Sequence, residues 1–257
     1  MNLIQTLVLS IVEGITEFLP ISSTGHLILA SKLLNIAQTG FVKSFEIIIQ
    51  FGATMAVVVL YFKKLLDNKK LYPKILAAFL PSAIIGFILY KFIKQYLIGD
   101  PRIVLVSLFI GGILLIILEK ILAKIKIKND LTFEELNLKP CLLIGLSQAI
   151  SMIPGVSRAA ATIIGGMSVG LSRSSAVEFS FLLAVPTMAA ATGLDLIKSY
   201  KYFSASDVKL LIIGFIVSFI AAKITVKWLI KFMKKHSLAA FGIYRIVLAI
   251  AFWNFIK

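Results

Sequence analysis

Long apolar segments with few charged residues follow one another along the chain. The longest lie at residues 45–62, 75–90, 103–118, 179–194, 210–222 and 238–255. Most approach the length of about 20 residues that a helix needs to cross a bilayer. None alternates between apolar and polar residues as a membrane β-strand does, and a helix satisfies its own backbone in lipid. The pattern predicts an all-α polytopic membrane protein with six transmembrane helices.

Two further apolar segments are interrupted and are not straight spans. Residues 1–36 are broken around Pro20, and residues 141–167 are broken at Pro154 and Gly155. Proline cannot continue a helical hydrogen-bond pattern, so two shorter helices are expected in each segment. We predict two re-entrant helical hairpins, the first entering the membrane from outside and the second from the cytoplasm.

Lysines and arginines predict which ends of the helices face the cytoplasm. They are concentrated in the connecting segments 63–74, 119–140 and 223–236, and they are sparser at 91–102 and 198–209. Because short cytoplasmic loops carry an excess of these residues, the three rich segments are placed inside. The formal net charge of +15 has the same origin, so it does not indicate nucleic-acid binding.

The two interrupted segments also resemble each other. In each, an acid or amide precedes a proline and a serine, and a later apolar segment opens with an acid followed by a threonine. The matched residues, about 133 positions apart, are Glu13 and Gln148, Pro20 and Pro154, Glu46 and Glu178, and Thr54 and Thr187. Such repeats of opposite orientation occur in transporter folds. We predict one domain over residues 1–257, built from inverted halves at approximately 1–118 and 136–257.

Polar residues are costly inside a membrane, and they gather here in two stretches. The candidate site residues of the first are Glu13, Glu17, Ser22, Ser23, Thr24 and His26. The acids are four positions apart on one helix face, so a divalent cation, an arginine or a shared proton is expected beside them. The hydroxyl residues suit a helix start as caps. Ser23 and His26 are also within reach of each other as nucleophile and base.

The second stretch includes Gln148, Gly155, Ser157, Arg158 and Thr162. A helix that starts after Gly155 points free backbone N–H groups at the break, where an anion binds well. Arg158 adds a planar guanidinium that matches phosphate oxygens. The alternative for Arg158 is an ion pair with a distant glutamate. The two interpretations are compatible, because such a pair also orients the guanidinium.

If the two breaks meet near the membrane midplane, these groups form one site. Carboxylates that hold a divalent metal opposite an arginine suit a diphosphate, since phosphoryl transfer depends mainly on positioning and charge neutralisation. The apolar walls suit a substrate with a long hydrocarbon tail. The residues thus predict a phosphatase that acts on a lipid diphosphate.

Both stretches closely resemble the signature motifs of the undecaprenyl-diphosphate phosphatase (bacitracin-resistance) family. The first is Glu-Gly-Ile-Thr-Glu-Phe-Leu-Pro-Ile-Ser-Ser-Thr-Gly-His at 13–26, and the second is Pro-Gly-Val-Ser-Arg at 154–158. The resemblance implies hydrolysis of undecaprenyl diphosphate to undecaprenyl phosphate and inorganic phosphate, which recycles the lipid carrier for cell-wall synthesis. It also implies a divalent cation, Mg²⁺ or Ca²⁺, and a site in the bacterial plasma membrane that opens to the outer face.

The resemblance and the residues together assign three roles. The expected metal ligands are Glu13 and Glu17, and the expected catalytic residues are Glu17, Ser23, His26 and Arg158. The expected substrate ligands are Ser22, Thr24, Gln148, Gly155, Ser157, Arg158 and Thr162. Ser23, His26 and water all stay open as the attacking group, with Ser23 favoured. The family motif usually continues Ser-Gly after the arginine, whereas this chain has Ala159 and Ala160, so one hydroxyl near the phosphate is missing.

The main alternative function is a transporter or flippase of a polyprenyl phosphate lipid, because broken helices in inverted repeats are a transporter architecture. Paired glutamates beside a serine and a histidine favour chemistry, since transport alone needs no nucleophile. Arg245 lies well inside the last apolar segment, where a structural ion pair with Glu46 or Glu178 is expected. The sequence leaves open whether the chain forms a homodimer.

Overall fold

The computed structural model describes residues 1–92, 101–124, 131–199 and 203–253. Within these ranges the all-α prediction is confirmed, with one isolated β-bridge between Leu131 and Leu171. The helices are α1 Leu3–Thr16, α2 Ser23–Leu33, α3 Gly40–Leu60, α4 Phe62–Asp67, α5 Leu71–Phe92, α6 Pro101–Lys124, α7 Leu138–Ile150, α8 Arg158–Ser168, α9 Arg173–Ser199, α10 Ala205–Met233 and α11 Ala239–Trp253.

Five of these helices are long and apolar enough to cross a membrane: α3, α5, α6, α9 and α10. The chain is therefore a polytopic membrane protein. The sixth predicted span corresponds to α11, which is apolar and has 15 described residues. The count of six spans stays a prediction.

The lysine-rich segments contain more helix than the apolar pattern predicts. α10 continues through Lys223 and Lys227 to Met233, and α6 continues to Lys124. Lysine is a good helix former with a long stem, so a helix extends past its apolar part while the charges reach water. Four other lysines assigned to connecting segments lie outside the described residues: Lys94, Lys126, Lys128 and Lys201.

Both interrupted segments form pairs of short helices. Residues 17–22 separate α1 from α2, and residues 151–157 separate α7 from α8; we call these the first and second break. The second helix of each pair starts directly after a serine with positive φ, at 69° for Ser22 and 78° for Ser157. Each serine side chain caps the following helix by accepting from a backbone N–H, of Gly25 at 3.3 Å and of Ala160 at 3.2 Å.

The helices exchange partners between the two parts of the chain. α1 and α3 pack against α10, whereas α7 and α9 pack against α5, and α6 packs against α11. The contact with α10 depends on glycine, because a Cβ at Gly14 or Gly52 would lie 2.5 Å from an atom of Ser218. This exchange brings the first and second breaks together at α6. The single domain with inverted halves stays a prediction.

Candidate active site

The two breaks meet beside a cavity of about 820 Å³. Its polar wall comes from both breaks and the helix starts that follow them: Glu17, Ser22, Ser23, Thr24, Gly155, Ser157 and Arg158. α5, α7 and α9 add Ser82, Gln148 and Thr187 together with an apolar region that includes Phe87, Ile88, Met188 and Leu194. Three predicted site residues, Glu13, His26 and Thr162, are not part of this wall.

Arg158 is the first residue of α8, and its guanidinium joins the two breaks. Nη2 lies 3.0 Å from Oε1 of Glu17, and Nη1 donates to the backbone carbonyl of Ser180 at 3.0 Å. The two paired side chains are only 9% and 4% exposed. The ion pair with a distant glutamate is therefore present, and it holds the guanidinium at the cavity wall.

Glu17 connects Arg158 to Ser23. While Oε1 pairs with the arginine, Oε2 accepts a hydrogen bond from the Ser23 hydroxyl at 2.6 Å. Glu17 follows the last turn of α1 and Ser23 opens α2, so the first break folds the hydroxyl back onto the carboxylate. This contact places a base beside the predicted nucleophile.

His26 and Ser23 are not brought together as a pair. Nδ1 of His26 lies 2.8 Å from the Ser22 carbonyl, and Nε2 lies 2.8 Å from the hydroxyl of Tyr244 on α11. The Ser23 side chain instead points toward α1, in the N-terminal direction that helical side chains favour. A direct role for His26 stays a prediction.

Glu13 is completely buried on α1, one turn before Glu17. Neither of its carboxylate oxygens has a hydrogen-bond donor among the described residues, and the carboxylate of Glu17 lies within hydrogen-bond reach of it. The charged groups that act on it electrostatically are Glu17, Glu46 and Arg158. A buried carboxylate without a partner is costly, so Glu13 requires a cation, a proton or a ligand beside it.

The two carboxylates fit part of a Mg²⁺ or Ca²⁺ site. Both metals take oxygen ligands, and Mg²⁺ is commonly bound by one or two carboxylates together with substrate phosphates. Within the described ranges, no group of three His, Cys, Asp or Glu side chains is placed to hold a metal. Glu13 and Glu17 therefore fit two of the oxygen ligands that such a cation takes.

Thr162 lies behind Arg158 rather than on the cavity wall. Its hydroxyl is 2.6 Å from Oγ of Ser180, the residue whose carbonyl accepts from Arg158, and it donates to the Arg158 carbonyl at 2.9 Å. Gln148 does line the cavity, and its amide donates to the hydroxyls of Ser82 at 2.6 Å and Thr187 at 3.3 Å. Thr162 thus supports the arginine, while Gln148 faces the cavity.

The ion pair expected for Arg245 with Glu46 or Glu178 is wrong. Arg245 donates to backbone carbonyls, Glu178 pairs with Lys64 at 3.5 Å, and Glu46 accepts from Ser31 at 3.4 Å. A break in a membrane helix leaves backbone carbonyls without a donor from the same helix. The buried Arg245 guanidinium donates to these carbonyls, so it needs no carboxylate partner.

Sequence reasoning missed Ser180, Ser82 and Tyr244. The two serines are isolated in apolar segments, where a serine often bonds only its own helix backbone. The tendency of polar residues in spans to face the bundle interior is the signal that could have indicated them. Their partners come from other helices, so spacing along the chain does not predict the contacts.

The fold and this geometry define a membrane-embedded protein with a charged site assembled from two interrupted helices. An arginine at a helix start suits an anion, and the adjoining apolar region suits a hydrocarbon chain. Comparison with the sequences of known proteins places the chain in the same class of membrane protein. The chain belongs to the bacitracin resistance protein BacA family, whose model matches residues 6–251.

Relatives match over nearly the whole chain. The undecaprenyl-diphosphatase of Aquifex aeolicus (strain VF5) is 55% identical over 251 residues, which cover 98% of this chain and 97% of the relative. The undecaprenyl-diphosphatase of Sulfurihydrogenibium sp. (strain YO3AOP1) is 50% identical over 253 residues, which cover 98% and 99%. That of Persephonella marina (strain DSM 14350 / EX-H1) is 46% identical over 256 residues, covering 100% of both. The family predicted from the two motifs is confirmed.

Proposed function

We propose that this protein hydrolyses undecaprenyl diphosphate to undecaprenyl phosphate and inorganic phosphate, which recycles a lipid carrier for cell-wall synthesis. The observation that carries the proposal is the Glu17–Arg158 pair, 3.0 Å apart, at the polar wall of a cavity that continues into an apolar region. The name undecaprenyl-diphosphatase, carried by relatives 55% and 50% identical to this chain, supports it.

The diphosphate binds where α8 begins. The helix N-terminus and the Arg158 guanidinium both favour negative charge at that place. Arginine has five N–H donors, and one each of Nη1 and Nη2 contacts Ser180 and Glu17; Nε is buried, so the second N–H groups of Nη1 and Nη2 are the ones that would meet phosphate oxygens. The backbone turn at Gly155 and Ser157 completes this part of the wall, and the apolar region receives the tail.

Ser23 is the attacking group that the contacts favour. Its Oγ bonds to the terminal phosphorus while Glu17, 2.6 Å away, takes the hydroxyl proton, and the bridging P–O bond breaks to release undecaprenyl phosphate. Water then attacks the phosphoserine, inorganic phosphate leaves, and Glu17 returns the proton to Oγ. A phosphoryl group trapped on Ser23 supports this route, one trapped on His26 supports histidine attack, and none on either supports direct attack by water.

A divalent cation, Mg²⁺ or Ca²⁺, is part of the proposal. Glu13 and Glu17 would hold it together with diphosphate oxygens, and when bound it neutralises charge on the transferring phosphoryl group. The unpartnered oxygens of Glu13 support this assignment within the described residues.

The proposed site opens to the outer face of the bacterial plasma membrane. The cavity reaches Phe87 near the end of α5 and Leu194 near the end of α9, and both helices lead into lysine-poor segments. The proposed topology has six spans including α11, with both helix pairs as re-entrant hairpins in inverted halves. The packing of α1 against α10 and of α7 against α5, each across the two halves of the chain, supports this topology.

Cysteine labelling in sealed cells tests the orientation after Cys141 is replaced. A cysteine at Asn68, after α4, or at His236, after α10, should react only with a reagent that enters the cytoplasm. A cysteine at Tyr202, which lies outside the described residues, should react from outside. External labelling of Asn68 contradicts the proposed topology.

Phosphate release by the purified protein in detergent tests the activity. We expect release from a long-chain polyprenyl diphosphate that requires a divalent cation and stops on chelation. The exchanged packing of broken helices also suits the alternative, a flippase of a polyprenyl phosphate. Lipid movement in proteoliposomes without phosphate release supports that alternative and contradicts the phosphatase.

A further inference from the structure

α11 contacts both breaks through one buried arginine. Arg245 is 1% exposed, and its guanidinium donates to five backbone carbonyls. Two belong to α6 and three to the breaks: Ser107 at 3.1 Å, Leu108 at 3.4 Å, Pro20 at 3.4 Å, Gly155 at 2.9 Å and Val156 at 3.0 Å. No carboxylate in the described ranges lies within ion-pair distance of Arg245. Arg245 therefore links the backbone of α6 to the backbone of both breaks.

The carbonyls of Pro20 and Gly155 occupy equivalent places in the two breaks. Each lies two residues before the serine of positive φ, and each lies three residues before a residue of the site, Ser23 or Arg158. Nη1 reaches Pro20 and Nη2 reaches Gly155. Because the guanidinium is planar and rigid, it fixes the separation of these two carbonyls.

The adjacent Tyr244 adds a contact with the first break. Its hydroxyl is 2.8 Å from Nε2 of His26, and the two rings stack with an interplanar angle of 5°. Nδ1 of the same imidazole lies 2.8 Å from the Ser22 carbonyl. The dipeptide on α11 thus holds the first break at the carbonyl of Pro20 and, through His26, at that of Ser22, and it holds the second break at the carbonyls of Gly155 and Val156.

A glycine on α6 provides the space that the guanidinium occupies. A Cβ at Gly111 would collide with Nη2 of Arg245 and would lie 2.9 Å from Cζ. The colliding atoms are at the far end of a flexible side chain, so an alanine at this position displaces the guanidinium without removing it.

We propose that Arg245, in the space left by Gly111, is a positioning residue that sets the alignment of Ser23 and Glu17 with Arg158. The inference rests on the proposed function, because its consequence for the reaction is a change in turnover. The two breaks carry different reacting groups, so a change in their separation changes the reacting geometry. A displacement of about 1 Å in such groups lowers a rate by as much as ~100-fold.

The first test compares two glycine substitutions. Gly111→Ala should lower kcat by about 10- to 100-fold through misalignment. KM should change little, because Arg158 and the start of α8 still bind the diphosphate. Gly193→Ala is the matched control, since a Cβ on this α9 glycine meets no atom within 4 Å. It should keep the wild-type kcat.

A second variant tests whether the glycine acts through the arginine. Arg245→Lys keeps the charge but loses the fork, and it should lower kcat by a similar factor. A lysine at position 245 leaves room for a Cβ at residue 111. The loss of kcat in the double variant Gly111→Ala/Arg245→Lys should therefore be no larger than that in the more impaired single variant. If the two losses multiply, Gly111 acts by another route and the proposal is wrong.

A distance measurement separates this proposal from the proposed function. Spin labels replace the exposed residues Lys32, at the end of α2, and Ser168, at the end of α8, in a chain without Cys141. Gly111→Ala and Arg245→Lys should shift or broaden the distance distribution, whereas Gly193→Ala should not. If the unsubstituted protein releases no phosphate while Gly111→Ala and Arg245→Lys still shift the distances, the phosphatase activity is contradicted and the positioning role is retained. Unchanged distances with unchanged kcat, or variants that fail to fold, overturn the positioning role.

Discussion

The first and second breaks use the same backbone turn to present opposite charges. Each has a serine of positive φ that caps the next helix, and each has a polar residue nine positions before that serine. Beside the first break the polar residue is Glu13 and the residue after the serine is Ser23, and beside the second they are Gln148 and Arg158. Two similar turns thus contribute oppositely charged groups to one cavity wall.

The helix starts differ in electrostatics as well. An anion is favourable at a helix N-terminus, and the Glu17 carboxylate, which follows α1, lies beside the start of α2, where Ser23 donates to it. The second break instead places the cation Arg158 in the first turn of α8, which is unfavourable unless an anion lies beside it. Glu17 offsets part of that charge, and a diphosphate would offset the rest. In the proposed function, the second break is therefore the half of the site that the substrate completes.

Arg158→Lys and the two glutamate variants described next should have the largest effects. Lysine cannot contact Glu17 and Ser180 and still present a planar fork to phosphate, so we expect a loss of roughly 2–4 kcal/mol of transition-state stabilisation, about 30- to 1,000-fold in kcat. Arg173→Lys is a matched control, because Arg173 also opens a helix and also pairs with a glutamate, Glu119, away from the cavity. Equal turnover in both variants shows that Arg158 is structural.

Glu13→Gln and Glu17→Gln each remove a negative charge beside the first break. Glu13→Gln also places a glutamine nine positions before the capping serine, as Gln148 is in the second. We expect each to lower turnover at least ~100-fold, as for the loss of a charge stabiliser. Excess divalent cation should partly restore one of them. Glu178→Gln, which alters an acid paired with Lys64, serves as the control. Near wild-type activity in both first-break variants contradicts the carboxylate–cation assignment.

Gln148→Glu makes the opposite conversion. A second anion at the cavity wall should repel the diphosphate and raise KM about tenfold, which corresponds to roughly 1.4 kcal/mol. The change should be smaller in high salt if the site is open to solvent. A KM unchanged by Gln148→Glu indicates that the phosphates do not approach α7.

Thr162→Val should have the smallest effect. It removes the hydroxyl that lies 2.6 Å from Ser180 and keeps the branched shape. A neutral hydrogen bond contributes about 0.5–1.5 kcal/mol, so kcat should fall between about two- and tenfold. A loss as large as that of Arg158→Lys would show that Thr162 contacts the substrate directly, as the sequence predicts.

The fold class was accessible to sequence reasoning because lipid leaves few choices. Apolar segments of bilayer length must be helices, and a proline within such a segment marks a break. Helix ends were less accessible, since α10 continues through its lysines to Met233. Most residues of the cavity's polar wall were also among those predicted, because acids, hydroxyls and an arginine are costly in a membrane and tend to mark functional sites.

The order of residues along the chain predicts two polar stretches beside two helix breaks, because polar residues are costly in a membrane. Which of these residues meet depends on how the helices pack. Ser23 bonds to Glu17 instead of His26, Arg158 lies between Glu17 and Ser180, and Arg245 reaches the carbonyls of both breaks. These partners lie on different helices, up to 225 positions apart along the chain. Local spacing specifies neighbours within a helix, whereas packing between helices specifies contacts across the fold.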